Sequence, residues 1–407
     1  MDHPRRYLDA DDLASCRPVN VVWELTLACD LKCKHCGSRA GAPRAAELTT
    51  AECLDVIAQL AELGTRDIGL IGGEAYLRSD WAEIIRAIRG AGIDCSLQTG
   101  ARNLTESRIA AAAAAGLQGG GVSIDGLATL HDELRGVPGS FGAAMTALRR
   151  LKAHGITTSV NTQINARILP ELAELLDRLI EAGISSWQLA LTVPMGRAAD
   201  RPELLLQPYQ LLEMMPLLAE LHRRALDGGV ILQPSNNIGY FGPFESMWRS
   251  TNDPNVHFSG CNAGQNVLGI EADGSIKGCP GLPREYIGGN VRTERLADIW
   301  SASGVIAFTR RQRNDELWGF CRECYYADTC QSGCTWMAHT LFGRRGNNPY
   351  CHYRALQLAA RGLRERVVQT RSAPGAPFDY GEFELVVEPL GAPLPARPAL
   401  KRLRVLQ

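Results

Sequence analysis

The sequence lacks any long apolar run. The nearest is the alanine-rich "RIAAAAAAGL", well short of the ~18 residues a membrane helix needs, so no span is expected. It also lacks the apolar core of a signal peptide, because it opens on the polar, acidic "MDHPRRYLDADDLASC". It lacks a surplus of either charge, with 43 basic against 44 acidic residues and a formal net charge of −1. That balance excludes the broad basic field of a nucleic-acid or anionic-membrane binder. A cytoplasmic protein is expected, with no nucleic-acid or membrane partner. Its 407 residues, 45% hydrophobic and 21% charged, suffice for one large domain or two around an ample core.

The last lack is a fourth cysteine. "LTLACDLKCKHCGSRAG" places Cys29, Cys33 and Cys36 within eight residues and stops there. A structural zinc wants four ligands and a disulfide wants two. The chain has thirteen cysteines, too many to be a disulfide framework in a reducing compartment. Seven more lie between Cys261 and Cys351, leaving Cys16, Cys53 and Cys95 as isolated thiols read as small core hydrophobes.

From about residue 20 to 230 one unit recurs: a short apolar strand, a loop, then an amphipathic helix closed by glycine. The ends read "AELGTRDIGL", "IRGAGIDCSL", "AAAGLQGGGVSI", "KAHGITTSV" and "EAGISSWQLAL". Strands are predicted near 20–27, 67–71, 93–98, 119–124, 156–164 and 184–191. Thr49 with Glu52 forms a capping box, and Ser79 or Asp80 can cap the next helix. Six consecutive units predict parallel strands with right-handed crossovers, in an open, partial (β/α)6 barrel of the TIM type. The expected division is an N-terminal segment (1–19), the barrel (20–233), a linker (234–258), a cysteine-rich domain (259–355) and a C-terminal helix end with an extended tail (356–407). One strand is expected in that tail, at 383–387.

Glu24 and Thr26 alternate with Trp23 and Leu25; Ser123 and Asp125 alternate with Val122 and Ile124; Ser159, Asn161, Gln163 and Asn165 alternate with Val160, Thr162 and Ile164. A polar face of this kind implies a wet cavity for a polar ligand. Functional residues of parallel β/α folds collect at the carboxyl ends of strands, and every unusual feature lies there. The three cysteines follow strand one, and Gly72, Gly73 and Glu74 follow strand two. Thr99 ends strand three, Asp125 ends strand four, and Arg197 follows strand six. Asp125 and Glu24 are candidate catalytic carboxylates; the alternative is that they only hydrogen-bond the ligand or each other.

Three thiolates can hold three corners of a 4Fe–4S cube and leave one iron open. The C-x3-C-x2-C spacing resembles the radical S-adenosylmethionine (radical SAM) enzymes. That resemblance implies SAM chelated to the open iron, reductive cleavage to a 5′-deoxyadenosyl radical, and removal of a substrate hydrogen. It also implies that Gly72, Gly73 and Glu74 bind the methionyl amino group. His35 would lie near the adenine, Ser123 and Asp125 would touch the ribose, Thr99 at the end of strand three would also bind the cofactor, and Arg197 would meet its carboxylate. Ala75 stands where a proline often follows the family's "GGE".

Further on, Cys261, Cys279, Cys321, Cys324, Cys330, Cys334 and Cys351 resemble the seven-cysteine SPASM extension. The resemblance implies two auxiliary iron–sulfur clusters, one held by Cys321, Cys324, Cys330 and Cys351, the other by Cys261, Cys279 and Cys334. Zinc is the alternative, and it would need to borrow His352 or His257. The expected activity is modification of a ribosomally made peptide by crosslinking, oxidation, epimerisation or excision. The alternatives are oxidation of a small molecule, or of a protein side chain as sulfatase maturases perform it. A flavodoxin- or ferredoxin-type electron donor is expected. Only 28 residues precede Cys29, so a leader peptide would be held by a separate partner protein or by the barrel rim.

Overall fold

Five helices end where glycine permits a left-handed backbone, at Gly64, Gly92, Gly116, Gly155 and Gly183, all with positive φ. Each release turns the chain into the next strand of a parallel sheet. The computed structural model describes residues 8–249 and 256–393. Within them β1 (Asn20–Glu24), β2 (Asp67–Ile71), β3 (Asp94–Thr99), β4 (Gly119–Ser123), β5 (Thr157–Ile164) and β6 (Ser186–Leu191) pair in sequence order, all parallel. This is the six-unit partial barrel that the glycine punctuation predicts. The capping box forms too: Thr49 accepts from the Glu52 amide while Glu52 reaches back to the Thr49 amide. Asp80 occupies the next N-cap position without capping, because its carboxylate is taken by Arg78 and Thr50.

The sheet runs further than six strands. β7 (Ile231–Pro234) adds in parallel to β6, at one edge. β8 (Val267–Ile270) adds in parallel to β1 on the other side, followed by antiparallel β9 (Ser275–Lys277) and β10 (Ile287–Asn290). The result is one ten-stranded sheet in the order β10-β9-β8-β1-β2-β3-β4-β5-β6-β7. The start of the cysteine-rich segment is therefore hydrogen-bonded to the barrel's first strand.

Strand faces follow the period-two pattern. In β5, Val160, Thr162 and Ile164 are buried against the helices, while Ser159, Asn161 and Gln163 keep some exposure on the inner face. In β3, Cys95 and Leu97 are buried and Ser96 and Gln98 face inward. Cys53 and Cys95 are core thiols, 1% exposed each, and Cys16 closes a short helix in the left-handed conformation.

Two expectations need correction. The linker contains a short helix, Glu245–Arg249, whose Trp248 is buried; the linker's residues 250–255 lie outside the described residues. The C-terminal region is a hairpin and not an extended tail: β11 (Leu363–Arg371) pairs antiparallel with β12 (Glu382–Pro389). The strand expected at 383–387 forms as β12, and its unforeseen partner β11, dense in arginine, carries no alternating apolar signal. Residues 394–407 of the expected tail lie outside the described residues. The hairpin is tied down by Arg354, whose guanidinium forms a buried fork on Glu365 at 2.6 and 2.7 Å. Val367 and Gln369 add bonds to Gln207 and to the Ala199 carbonyl.

Removing one partner of a buried ion pair costs about 3–5 kcal/mol, because the other charge is left without compensation. Glu365→Ala is therefore expected to destabilise the protein by about 3 kcal/mol. Amide-exchange protection should fall first across 363–371, and unchanged protection there would contradict this anchoring.

Candidate active site

The chain leaves β1 into a loop, 28–41, that carries the three thiols. The loop closes on itself, with Cys29 N–H on the Gly41 carbonyl (2.9 Å) and Gly41 N–H on the Leu27 carbonyl (3.0 Å). Other elements hold its remaining backbone. Lys32 and Lys34 N–H groups donate to the Arg135 and Leu134 carbonyls at the end of helix Ala128–Arg135. Arg197 clamps the far side: its amide donates to Cys36 O (2.9 Å), its Nε to Cys33 O (2.7 Å) and one Nη to Ala40 O (3.1 Å). Arg197 thus orders the loop, with two of its three guanidinium nitrogens already engaged.

Gly72 and Gly73 are required by the protein itself. A Cβ on Gly72 would collide with the Thr26 carbonyl, and one on Gly73 with the Ala28 carbonyl. The segment lies tight beneath the loop because Gly73 N–H donates to Thr26 O (2.8 Å) and Glu74 N–H to Ala28 O (2.7 Å). The Glu74 carboxylate then accepts from the Thr99 hydroxyl and the Gly100 amide, tying the end of β2 to that of β3. Burial pushes the Glu74 carboxyl up to about 8. Thr99 reaches the cavity, but its hydroxyl is turned onto Glu74.

These elements surround a cleft of about 1150 Å³, open mouth included, at the carboxyl ends of the strands. Cys29, Cys33, Cys36, His35, Gly72, Gly73, Glu74, Thr99, Ser123, Arg197 and Glu24 all line it. Asp125 does not. It is fully buried behind the wall, 2.5 Å from Arg135 Nη2 and 2.8 Å from His35 Nε2, and it accepts from the Gln163 amide. Burial alone would raise its carboxyl, yet Arg135 and then His35 hold it well below the usual range. A base must reach its proton, and Asp125 faces Arg135 and His35 and not the cleft. Glu24 stays on the cavity wall, accepting from Arg44 (2.7 Å), and burial pushes its carboxyl up.

Arg135 escaped the sequence reading. A basic residue in a helix's last turn ordinarily complements the helix dipole, and "HDELR" gives no other sign. In the fold it is buried, with Nη1 3.6 Å from Cys33 Sγ and Nε without a hydrogen-bond partner.

The donor set fits an iron–sulfur cluster. Burial, then Glu74, pushes the Cys29 thiol up to about 12, and burial raises Cys33 as well. Bare thiolates are disfavoured there, whereas a bound cationic metal core deprotonates its thiols outright. The remaining cysteines form two groups. Cys321, Cys324, Cys330 and Cys351 line a second pocket with Tyr240, Phe241 and Tyr326. Cys261 and Cys279 pack against Ala263, Leu282, Tyr286 and Phe308, and Cys334 lies within electrostatic reach of both. His352 packs on Phe244 and His257 sits on the Phe258 carbonyl; neither lines the four-cysteine pocket. Cys279, with Pro280 and Gly281, also lines the central cleft.

Gly73→Ala is expected to lower stability by about 1–3 kcal/mol, through overpacking against backbone that cannot move aside, and to cut iron loading at Cys29. Gly142→Ala, in an open helical position, should be neutral or stabilising by up to ~1 kcal/mol. Thermal melts and iron assays of both variants check this, and equal behaviour would contradict it.

A model of the radical SAM superfamily matches residues 23–165, and one of the SPASM iron–sulfur cluster-binding domain matches 261–325. The chain is 30% identical over 376 residues to an AdoMet-dependent heme synthase of Oleidesulfovibrio alaskensis, covering 87% of this chain and 91% of that one. It is 28% identical over 327 residues to the mycofactocin maturase MftC of Mycobacterium ulcerans, covering 78% and 83%. In fold it is similar to Streptococcus suis SuiB bound to its precursor peptide SuiA, with TM-score 0.62, 18% identity, and 84% and 77% coverage. No helix among the described residues is long and apolar enough to cross a membrane. The chain belongs to the radical SAM superfamily, with a SPASM domain in its second half, and is an enzyme that uses SAM, a 4Fe–4S cluster and auxiliary iron–sulfur clusters.

Proposed function

We propose that this enzyme removes a hydrogen atom from a ribosomally made peptide and completes a net oxidation of it. The observation that carries this is the double lining of the cleft: Cys279 of the three-cysteine group faces the same space as Cys29, Cys33 and Cys36. Held by Cys29, Cys33 and Cys36, a 4Fe–4S cluster would supply the electron for reductive cleavage of SAM, the chemistry by which a substrate hydrogen would be removed in this cleft. A substrate group held in the cleft would lie beside Cys279, whose auxiliary cluster would be the acceptor of the second electron. The balancing proton goes to Glu24, the lining carboxylate whose proton affinity burial raises. Oxidation by two electrons and loss of two hydrogens results.

Within the cleft, Cys29, Cys33 and Cys36 hold the catalytic cluster, the Gly72–Gly73 backbone receives the methionyl end of SAM, and Ser123 faces its ribose. Arg135 has a guanidinium N–H to spare, and we assign it the carboxylate contact expected of Arg197. Peptide chemistry is supported by similarity to MftC, named a maturase, and to SuiB, solved with its precursor peptide. A flavodoxin- or ferredoxin-type donor reduces the enzyme, and a leader peptide is held by a partner protein or the barrel rim.

The second reading is a tetrapyrrole substrate, favoured by the similarity to a heme synthase. Such substrates carry several carboxylates, whereas the two arginines lining the cleft are largely engaged, Arg197 by the loop carbonyls and Arg135 by Asp125. The test is 5′-deoxyadenosine formation by reduced, reconstituted enzyme with candidate precursor peptides or a carboxylated tetrapyrrole, with both substrates weighed by mass spectrometry. Stimulation by a peptide that loses two mass units is expected; stimulation and mass loss confined to the tetrapyrrole would overturn the peptide reading. Arg135→Lys should weaken SAM binding about tenfold, as loss of a charge-assisted bond does. Arg197→Lys should act mainly on iron loading, and calorimetry with iron assay separates the two.

A further inference from the structure

The central cleft has two unlike walls. Strand ends supply a polar one, with Gln98, Ser123 and Gln163 beside the GGE segment. The other is apolar and comes from three distant parts of the chain: Met195 after β6, Pro280 after Cys279 with Trp336 after Cys334, and Phe378 from the hairpin loop.

Trp336 spans the gap between the two cysteine groups. A Cβ on Gly37, next to Cys36, would stand 4.0 Å from its ring, and one on Gly281, two residues after Cys279, only 2.6 Å. Its indole N–H is spent on Met195 Sδ at 3.3 Å, so the ring offers the cleft only its apolar surface. Phe378 closes the same side in a left-handed backbone (φ +58°), a strain that persists only where surrounding contacts impose it. Those contacts are Arg39 on Asp379 (2.7 Å), the Gly196 amide on the Asp379 carbonyl (2.7 Å) and Tyr380 on Glu285 (2.7 Å). Lys277 lies 4.3 Å from the Phe378 ring centre.

The charged groups lining the cleft are engaged within the protein. Glu24 is held by Arg44, Glu74 by Thr99 and Gly100, Arg197 by the loop carbonyls, and Arg135 by Asp125. Of the two cleft-lining arginines, Arg135 has a buried Nε–H without a hydrogen-bond partner, and its Nη1 lies beside Cys33, on the cofactor side. The cations over the Phe378 ring, Lys277 and Arg44, are held by Glu271 and Glu24, so a charged substrate group beside Trp336 and Phe378 would lose its hydration and gain no unpaired counter-charge.

We propose that Trp336, Met195 and Phe378 form the substrate subsite and that it takes an uncharged apolar group, aromatic or branched aliphatic. The proposal rests on the oxidative reading above, in which that group is a side chain of the peptide. The subsite holds it between the cofactor and Cys279.

The test is equilibrium dialysis of cluster-loaded, full-length enzyme with SAM and no reductant. The probes are N-acetyl-phenylalaninamide and N-acetyl-leucinamide against the N-acetyl amides of aspartate and lysine. The apolar probes are expected to bind about tenfold tighter than the charged ones, the scale of burying one such side chain. Phe378→Ala and Trp336→Ala should each remove most of that preference, Trp336→Phe should keep it, and SAM affinity should hold in Phe378→Ala. Equal binding of charged probes, or a preference untouched in Phe378→Ala, overturns the proposal. Phe378 sits on a half-exposed loop, so this second variant decides the matter if Trp336→Ala does not fold. Apolar selectivity that depends on these residues, with no peptide changing mass under turnover, would sink the peptide reading and leave the subsite standing.

Discussion

The structure turns on the placing of three thiols in one half-buried loop, where two of them, Cys29 and Cys33, would as bare groups rather stay protonated. Burial and the neighbouring Glu74 set that condition, and a cationic metal core is what relieves it. The loop cannot hold this shape alone, since most of its backbone groups point away from any regular ladder. Arg197, the end of helix Ala128–Arg135 and the GGE segment each supply the missing partners. The cysteine motif and its surroundings are therefore one object. The glycines at 72 and 73 allow close packing beneath the loop, and the arginines close it from the sides.

A second level follows from the sheet. Because β8 pairs with β1, the strand that leads into the cysteine loop, the cysteine-rich half is hydrogen-bonded beside the catalytic loop. That pairing brings Cys279 to the central cleft. Phe378 and Asp379, on the hairpin loop, then bind the barrel and the cysteine-rich segment together at its mouth. In the proposed oxidation, hydrogen removal and electron removal would then occur across one cavity.

Much of this was legible in the sequence, and the part that was not has physical reasons. The six parallel strands were readable because left-handed glycine ends and period-two faces are local signals. β7 to β10 were not, since strands of three or four residues carry too little pattern. The hairpin was missed because its stability comes from Arg354 with Glu365 and from bonds to Gln207 and Ala199, all tertiary. At the site, the cysteines and GGE stood out as motifs, but burial reassigned the neighbours. Asp125 looked like an available carboxylate at a strand end, and three partners seal it in. Arg197 lines the cleft and also clamps the loop, while Arg135 looked like an ordinary helix-end cation and lies against Cys33.

The central claim is that a substrate hydrogen is taken in the cleft between Cys36 and Cys279. Its most direct test is turnover with a candidate precursor peptide deuterated at its apolar side chains, followed by mass analysis of the 5′-deoxyadenosine. One deuterium in that product, matched by its loss from the peptide, is the predicted result. Unlabelled 5′-deoxyadenosine from a peptide that is nonetheless modified would place the abstracted hydrogen elsewhere and contradict the account.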